Sequence, residues 1–317
     1  MSATNSPRHR LLVLVGPTAV GKTKLSLQLA HHWNAEIISG DSMQVYRHMD
    51  IGTAKLPFAE RDGIPHYMMD IHEPDEPFSV AEFQDRCREL IPDIASRHKL
   101  PFIVGGTGLY VESLCYGFEF SEQGSDEPFR LEMAHLAEDQ GNEVLHEQLR
   151  LVDPESAERL HPNDVRRVIR ALEIFRLTGQ KMSEQLEVQQ RQPQYDLCFI
   201  GLTMDRQLLY KRIEARIDEM LEEGLVQEVE QLLQRGYSRS LVSMQGLGYK
   251  EIAAYLAGET SYEAAVTLLK RDTRRFAKRQ LSWFRRMKDI HWVDVTDSTR
   301  YDEHFSQICG IVAGKFR

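Results

Sequence analysis

Two glycines, a lysine and a threonine near the amino terminus have the spacing of a phosphate-binding loop. Gly16 is followed, after four residues, by Gly21, Lys22 and Thr23 in the segment GPTAVGKT. Such a loop directs backbone N–H groups at a phosphate, Lys22 adds a positive charge, and the Thr23 hydroxyl is a ligand for Mg²⁺. The segments LLVLV before it and KLSLQLA after it predict the flanking strand and helix. The sequence therefore predicts a diphosphate or triphosphate ligand, without indicating whether that ligand is a nucleotide.

Two further polar residues follow predicted strands. Asp41 comes after AEIIS, and capping of a local turn or helix explains it as well as catalysis does. Ligands of open α/β sheets bind at the carboxyl ends of the strands, so we expect Asp41 close to the phosphate loop. Thr107 lies in GGTG after PFIV, where the glycines either bring the backbone close to a ligand or form a tight turn. Asp70 resembles a weak Mg²⁺-supporting acid, although a residue that ends a strand is the better explanation.

Length and composition are those of a globular protein with one large domain or two. The 317 residues are 42% hydrophobic and 27% charged, and the four cysteines are widely spaced without a CxxC pair. This pattern argues against a zinc site or a disulfide framework and suits a reducing compartment. We expect a cytoplasmic protein with neither a secretory signal nor a membrane partner.

Charge is distributed unevenly along the chain. The net charge is −9, yet residues 270–288 contain nine lysines and arginines and one aspartate. An acidic protein with such a basic segment can bind a polyanion locally, although a solvated helix surface is the alternative. The same two explanations apply to Arg166 and Arg170, one turn apart on a predicted helix. Arg212 and Arg216 share one side of another helix.

The order of predicted elements indicates an α/β fold. Strands alternate with helices on both sides of residues 119–196, which are helical in pattern and lack convincing strands. We therefore predict a parallel-sheet core that contains the phosphate loop, formed by residues 1–118 and 197–317. Residues 119–196 are predicted to be a helical insertion domain.

Several segments together resemble the bacterial tRNA dimethylallyltransferases, also called tRNA isopentenyltransferases. The most specific of them are GDSMQVY, IVGGTGLY and QGLGYKE, at residues 40–46, 103–110 and 245–251. The resemblance implies transfer of a dimethylallyl group from dimethylallyl diphosphate to N6 of an adenosine, with release of diphosphate. That adenosine is adenosine-37, immediately 3′ of the anticodon in tRNA. The phosphate loop would then bind the diphosphate of a prenyl donor instead of ATP.

The resemblance also implies roles for individual residues. Asp41 would be the general base for the attacking amine, and Thr107 would contact substrate near the reaction centre. Lys22, Arg216 and a Mg²⁺ ion on Thr23 would act on the leaving diphosphate. The diphosphate-binding residues would be Gly16, Pro17, Thr18, Ala19, Val20, Gly21, Lys22 and Thr23. The tRNA-binding residues would be Asp41, Ser42, Met43, Gln44, Arg130, Arg166, Arg167, Val168, Ile169, Arg170, Gln245, Gly246, Leu247, Gly248, Tyr249 and Lys250.

The expected partners are the tRNA anticodon stem-loop and dimethylallyl diphosphate, and the expected state is a monomer. Without the resemblance, the phosphate loop and the insertion would fit a small-molecule or nucleotide kinase whose insertion closes as a lid over ATP. A nucleotide-switched RNA-binding protein without transfer chemistry is a third possibility.

Overall fold

The chain folds into two compact units, one of which is assembled from two separate chain segments. The computed structural model describes residues 8–118, 126–188 and 192–316. The first unit comprises Met1–Cys115 and Pro193–Arg317, and the second comprises Tyr116–Gln192. Across the described residues, no helix combines the length and apolar character needed to cross a lipid bilayer.

A parallel sheet forms the core of the first unit, which confirms the predicted α/β fold. Among the described residues the sheet has six strands in the order β3-β2-β4-β1-β5-β6. The central strand β1 is buried from Leu11 to Val15, as its continuous apolar sequence predicts. The strands are β1 (Arg10–Val15), β2 (Ala35–Gly40), β3 (His66–Tyr67), β4 (Leu100–Gly105), β5 (Asp196–Thr203) and β6 (His291–Asp294).

The helices of both units are numbered together in chain order. They are α1 (Lys22–His32), α2 (Val80–Ser96), α3 (Gly108–Tyr116), α4 (Glu127–Gln140), α5 (Asn142–Val152), α6 (Pro154–Arg159), α7 (Val165–Thr178), α8 (Met182–Val188), α9 (Arg206–Glu222), α10 (Leu225–Gln234), α11 (Tyr249–Leu256), α12 (Tyr262–Phe284) and α13 (Tyr301–Lys315). In the first unit, α1, α2 and α13 pack against the sheet, and α9 to α12 pack against one another. The second unit consists of α4 to α8 around a small apolar core.

Three element boundaries bear on the site. The strand β3 contains only His66 and Tyr67, because Met68 and Asp70 adopt positive φ angles of 62° and 55° that turn the chain away. The basic segment over residues 270–288 belongs to α12 as far as Phe284, where that helix ends. The QGLGYKE segment leads into α11, of which Tyr249 is the first residue.

The register of the sheet brings three strand ends together. Val15 of β1 pairs with Gly105 of β4, and Gly105 pairs with Gly40 of β2. The loops that leave β1, β2 and β4 therefore begin side by side at one edge of the sheet. A Cβ atom on Gly105 would lie 2.3 Å from the Gly40 carbonyl oxygen, so the two strands approach too closely for a side chain there.

We expect Gly105→Ala to destabilise the first unit, because its methyl group would force β2 and β4 apart. Overpacking of this kind costs about 1–3 kcal/mol. Gly310→Ala is the matched control, since nothing lies within 4 Å of its Cβ position and alanine favours the helix α13. Urea unfolding of both variants measures the difference. Equal midpoints would contradict the close approach of the two strands.

Candidate active site

The phosphate loop connects β1 to α1 and places Lys22 at the start of that helix. Lys22 Nζ donates hydrogen bonds to the carbonyl oxygens of Gly16 at 2.9 Å and Pro17 at 2.8 Å. Burial, followed by repulsion from the Arg216 guanidinium, lowers the pKa of Lys22 to about 8, although Asp41 opposes the shift. An anion bound in the loop would offset both effects, so the loop is suited to a phosphate group.

Two arginines on α9 face the same region. Burial lowers the pKa of Arg216, while the Asp41 carboxylate opposes this shift more than Glu219 or Glu223 does. Arg212 lies one turn earlier, and its Nη1 atom is 3.9 Å from the position of a Cβ atom on Gly21. Arg212 was absent from the predicted site, although its spacing from Arg216 is a signal that could have identified it.

Asp41 and Thr107 are joined through the turn that follows β2. Ser42 N–H donates to Thr107 Oγ1 at 3.0 Å, and Met43 N–H donates to Asp41 Oδ1 at 2.9 Å. Burial raises the pKa of Asp41, although the Met43 N–H group and the charge of Lys22 partly oppose it. Asp41 therefore caps a local turn, and its raised pKa makes it a stronger proton acceptor than an ordinary aspartate, so the cap does not conflict with the predicted catalytic role.

Gln44 is held in place by protein groups on both sides of its amide. Its Oε1 atom accepts a hydrogen bond from Ser39 Oγ at 2.8 Å, and its Nε2 atom donates to the Thr53 carbonyl at 3.2 Å. These bonds fix the amide of Gln44 between the end of β2 and the loop over residues 50–54. In its predicted tRNA-binding role, the amide of Gln44 would be shared with these partners.

A single carboxylate organises the loop over residues 50–54. Glu228 on α10 accepts hydrogen bonds from the backbone N–H groups of Asp50, Ile51 and Gly52 at 2.8–3.1 Å. It also accepts one from the Tyr249 hydroxyl at 2.7 Å. Tyr249 is 1% exposed, so its side chain belongs to the core, and its predicted contact with tRNA stays a prediction.

These loops line a cavity of about 740 Å³ in the first unit. Cationic and polar groups from the phosphate loop, α9 and the turn after β2 share it with apolar side chains. Of the predicted diphosphate-binding residues, Gly16, Pro17 and Val20 do not line the cavity, and Val20 is buried in the core. The predicted residues that line it are Thr18, Ala19, Gly21, Lys22, Thr23, Asp41, Ser42, Met43, Gln44, Thr107, Arg216 and Gln245 to Lys250.

Known proteins that are similar in sequence and fold are named as transferases that act on tRNA. A family model described as IPP transferase matches residues 44–287, and one described as isopentenyl transferase matches residues 9–66. The tRNA dimethylallyltransferases of Bacillus cytotoxicus and Bacillus cereus are each 55% identical to this chain over 310 residues, covering 98% of it and 96% of the relative. The chain belongs to the tRNA dimethylallyltransferase family.

Solved structures of this family have the same fold. The tRNA isopentenylpyrophosphate transferase of Bacillus halodurans is 48% identical, with a TM-score of 0.74 and coverage of 97% of each chain. A eukaryotic dimethylallyltransferase acting on tRNA is 33% identical, with a TM-score of 0.82, and the match covers 97% of this chain and 79% of that one.

The remaining predicted tRNA contacts, Arg130 and residues 166–170, lie in the second unit. Glu173 is fully buried and accepts hydrogen bonds from Arg130 Nε at 2.8 Å and from Arg170 Nη1 at 2.5 Å. Burial opposes ionisation of Glu173, but the bonds from Arg130 and then Arg170 lower its pKa. Both arginines are therefore tied to a residue that was missing from the predicted site.

The remaining predicted contacts of the second unit differ in exposure. Val168 and Ile169 are 0% and 7% exposed, so their side chains belong to the apolar core, and their predicted contacts with tRNA stay predictions. Arg166 is exposed and forms no ion pair within the described residues, and the Arg167 side chain is 68% exposed. These two arginines are the accessible cations of the predicted set on α7.

No group of three or more His, Cys, Asp or Glu residues could hold a metal ion in the described part of the chain. Asp70 instead pairs with Lys55 at 2.6 Å, which supports the structural explanation of this residue. Thr23 lines the cavity beside Lys22 and exposes its side chain. This donor set suits Mg²⁺ that is bound mainly by phosphate oxygens and water, with one hydroxyl from the protein.

Proposed function

We propose that this protein transfers a dimethylallyl group from dimethylallyl diphosphate to N6 of the adenosine immediately 3′ of the anticodon in tRNA. The observation that carries the proposal is the cavity of the first unit. There the phosphate loop and Arg216 share one space with Asp41 and Thr107, in a chain of the tRNA dimethylallyltransferase family. The acceptor is a base, so it must leave its stack to enter the cavity.

The donor end of the cavity is suited to a departing diphosphate. The C–O bond of the donor breaks as the C–N bond forms, and negative charge grows on the diphosphate. Lys22, Arg216 and the backbone N–H groups of residues 19–23 would stabilise that charge. Mg²⁺ would be held by the Thr23 hydroxyl and would neutralise part of the charge on the diphosphate. Arg212 lies close enough to the loop to contribute as well.

The acceptor end contains the base. The N6 amine becomes acidic as the new C–N bond forms, and the Asp41 carboxylate accepts the proton that it loses. Thr107 holds the turn next to Asp41 through Ser42, so the carboxylate is presented on a constrained segment. The products are N6-dimethylallyladenosine in the RNA and free diphosphate.

Exposed basic residues on α12 and just beyond it are suited to the RNA backbone. Lys270 pairs with Asp218 at 2.5 Å and Arg274 pairs with Glu214, so these two cations are partly neutralised. Other basic side chains are exposed without an ion pair in the described chain, among them Lys278, Arg279, Arg285 and Arg286. Arg279 also lines the cavity, so phosphate binding along this surface would begin next to the reaction site. A monomer remains the expected state.

The decisive experiment combines the protein, Mg²⁺ and tRNA with dimethylallyl diphosphate labelled in its prenyl group. We expect label in the RNA, and nuclease digestion should locate it at N6 of the adenosine 3′ of the anticodon. Parallel incubation with γ-labelled ATP tests for a kinase. Label transferred from ATP, with none transferred from the prenyl donor, would overturn the proposal.

We expect Asp41→Ala to reduce kcat by about 10²–10⁴-fold, the usual contribution of one general base. The affinity for dimethylallyl diphosphate should change little, because Asp41 serves the acceptor. Single-turnover transfer and equilibrium donor binding measure the two quantities. Asp139→Ala, at an exposed position of α4, is the control. Near-normal transfer by Asp41→Ala would remove Asp41 from the chemistry.

The raised pKa of Asp41 predicts the acidic limb of the pH profile. Only the ionised carboxylate accepts a proton, so kcat/KM for tRNA should rise with pH through the pKa of Asp41. The midpoint should lie above 3.8, the ordinary value for an aspartate. The residual activity of Asp41→Asn should lack this limb. An identical limb in that variant would assign it to another group.

Arg166→Glu and Arg167→Glu should each weaken tRNA binding, because the change removes a cation that binds a phosphate and adds repulsion. The slope of log K against log salt should fall in magnitude by about 1 for each phosphate that the variant no longer binds. Arg150→Glu reverses a charge on α5 whose side chain is 54% exposed, against 68% for Arg167, and is the control. Filter binding across a salt series measures the slopes. Identical slopes in all three variants would indicate a merely solvated surface.

A further inference from the structure

One buried glutamine connects two of the loops that line the cavity. Gln280 on α12 is 5% exposed. Its Oε1 atom accepts a hydrogen bond from Thr18 N–H at 2.9 Å, and its Nε2 atom donates to the Gly106 carbonyl at 3.0 Å. The amide has only one orientation that satisfies both partners, because one is a donor and the other an acceptor. Gln280 therefore joins the phosphate loop to the GGTG loop after β4.

The GGTG loop is shaped to receive this side chain. A Cβ atom on Gly106 would lie 2.2 Å from Gln280 Nε2, and one on Gly108 would lie 2.4 Å from the ring of Trp283. Trp283 follows Gln280 by three residues on α12, so one side of this helix packs directly on the loop. The glycines that were expected to allow a ligand or a tight turn thus allow the approach of α12.

The bridge continues to the proposed base. Gly106 is followed by Thr107, whose hydroxyl accepts the hydrogen bond from Ser42 N–H. Ser42 adjoins Asp41. A continuous path of covalent and hydrogen bonds thus leads from Thr18, in the loop for the leaving group, through Gln280 to the carboxylate that serves the acceptor.

We propose that Gln280 is a positioning residue for the transfer step. It fixes the separation between the loop that binds the departing diphosphate and the turn that carries Asp41. This inference rests on the proposed function. A displacement of about 1 Å between reacting groups can reduce a rate 10²-fold. The affinity for each substrate should change little, because the groups that bind each substrate are still present. Loss of the bridge therefore affects kcat more than either KM.

The test uses Gln280→Met, which keeps the length of the side chain and removes both hydrogen bonds. We expect kcat to fall by about 10- to 100-fold, with KM for dimethylallyl diphosphate and for tRNA within about threefold of wild type. Gln280→Glu retains an acceptor for Thr18 and places a second acceptor against the Gly106 carbonyl, so kcat should fall there too. Gln234→Met, at an exposed position of α10, is the matched control and should transfer normally.

A second readout does not depend on activity. The Thr18 amide should exchange with solvent faster in Gln280→Met than in wild type when followed by NMR, and its exchange should be unchanged in Gln234→Met. Urea midpoints identify any general loss of stability. Normal kcat and normal Thr18 exchange in Gln280→Met would overturn the inference, as would a rise in both KM values that parallels a loss of stability. A wild-type enzyme that transfers no prenyl label would instead reject the proposed function itself.

Discussion

The hydrogen-bonded register of β1, β4 and β2 is the constraint on which the site depends. Neighbouring strands of a sheet lie about 4.8 Å apart, so Val15, Gly105 and Gly40 begin their loops within two strand spacings. The phosphate loop, the turn with Asp41 and the loop with Thr107 therefore meet without any long excursion of the chain. Hydrogen bonding within the sheet fixes this spacing, and the apolar sequences of the strands favour formation of a buried sheet. Glycine is needed at position 105 because β4 and β2 approach each other closely there.

The charged groups that line the cavity affect one another's pKa values. Lys22 and Arg216 repel each other, and burial disfavours the charge on both, while Asp41 offsets only part of this cost. A bound diphosphate would relieve the repulsion at one end of the cavity. Burial also destabilises the Asp41 carboxylate, which gains from taking up a proton, although Lys22 and Arg216 oppose this. The same partly enclosed space thus combines cations that favour a bound anion with a carboxylate of raised pKa.

The sequence was sufficient for groups whose role depends on local spacing. The loop between β1 and α1 and the parallel sheet both follow from short-range patterns, and the structure contains them. Contacts between residues that are distant in the sequence could not be predicted from such patterns. The buried Tyr249 hydroxyl donates to Glu228, and Arg130 and Arg170 both donate to Glu173, a carboxylate that no motif indicates. Arg212 was missed for a different reason, because its spacing gave a signal that pointed to no ligand by itself.

The order of the strands also affects how the chain is completed during synthesis. β1 pairs with β5, beginning with Arg10 opposite Asp196. The centre of the sheet therefore cannot form until residues that follow the second unit have been synthesised. The helices α4 to α8 find their neighbours within a much shorter stretch. Contacts between distant residues form slowly, and domains emerge from the ribosome in sequence. The inserted helices are therefore able to fold while the nascent sheet still presents the edge of β1 without its partner, and chaperones have that interval in which to act.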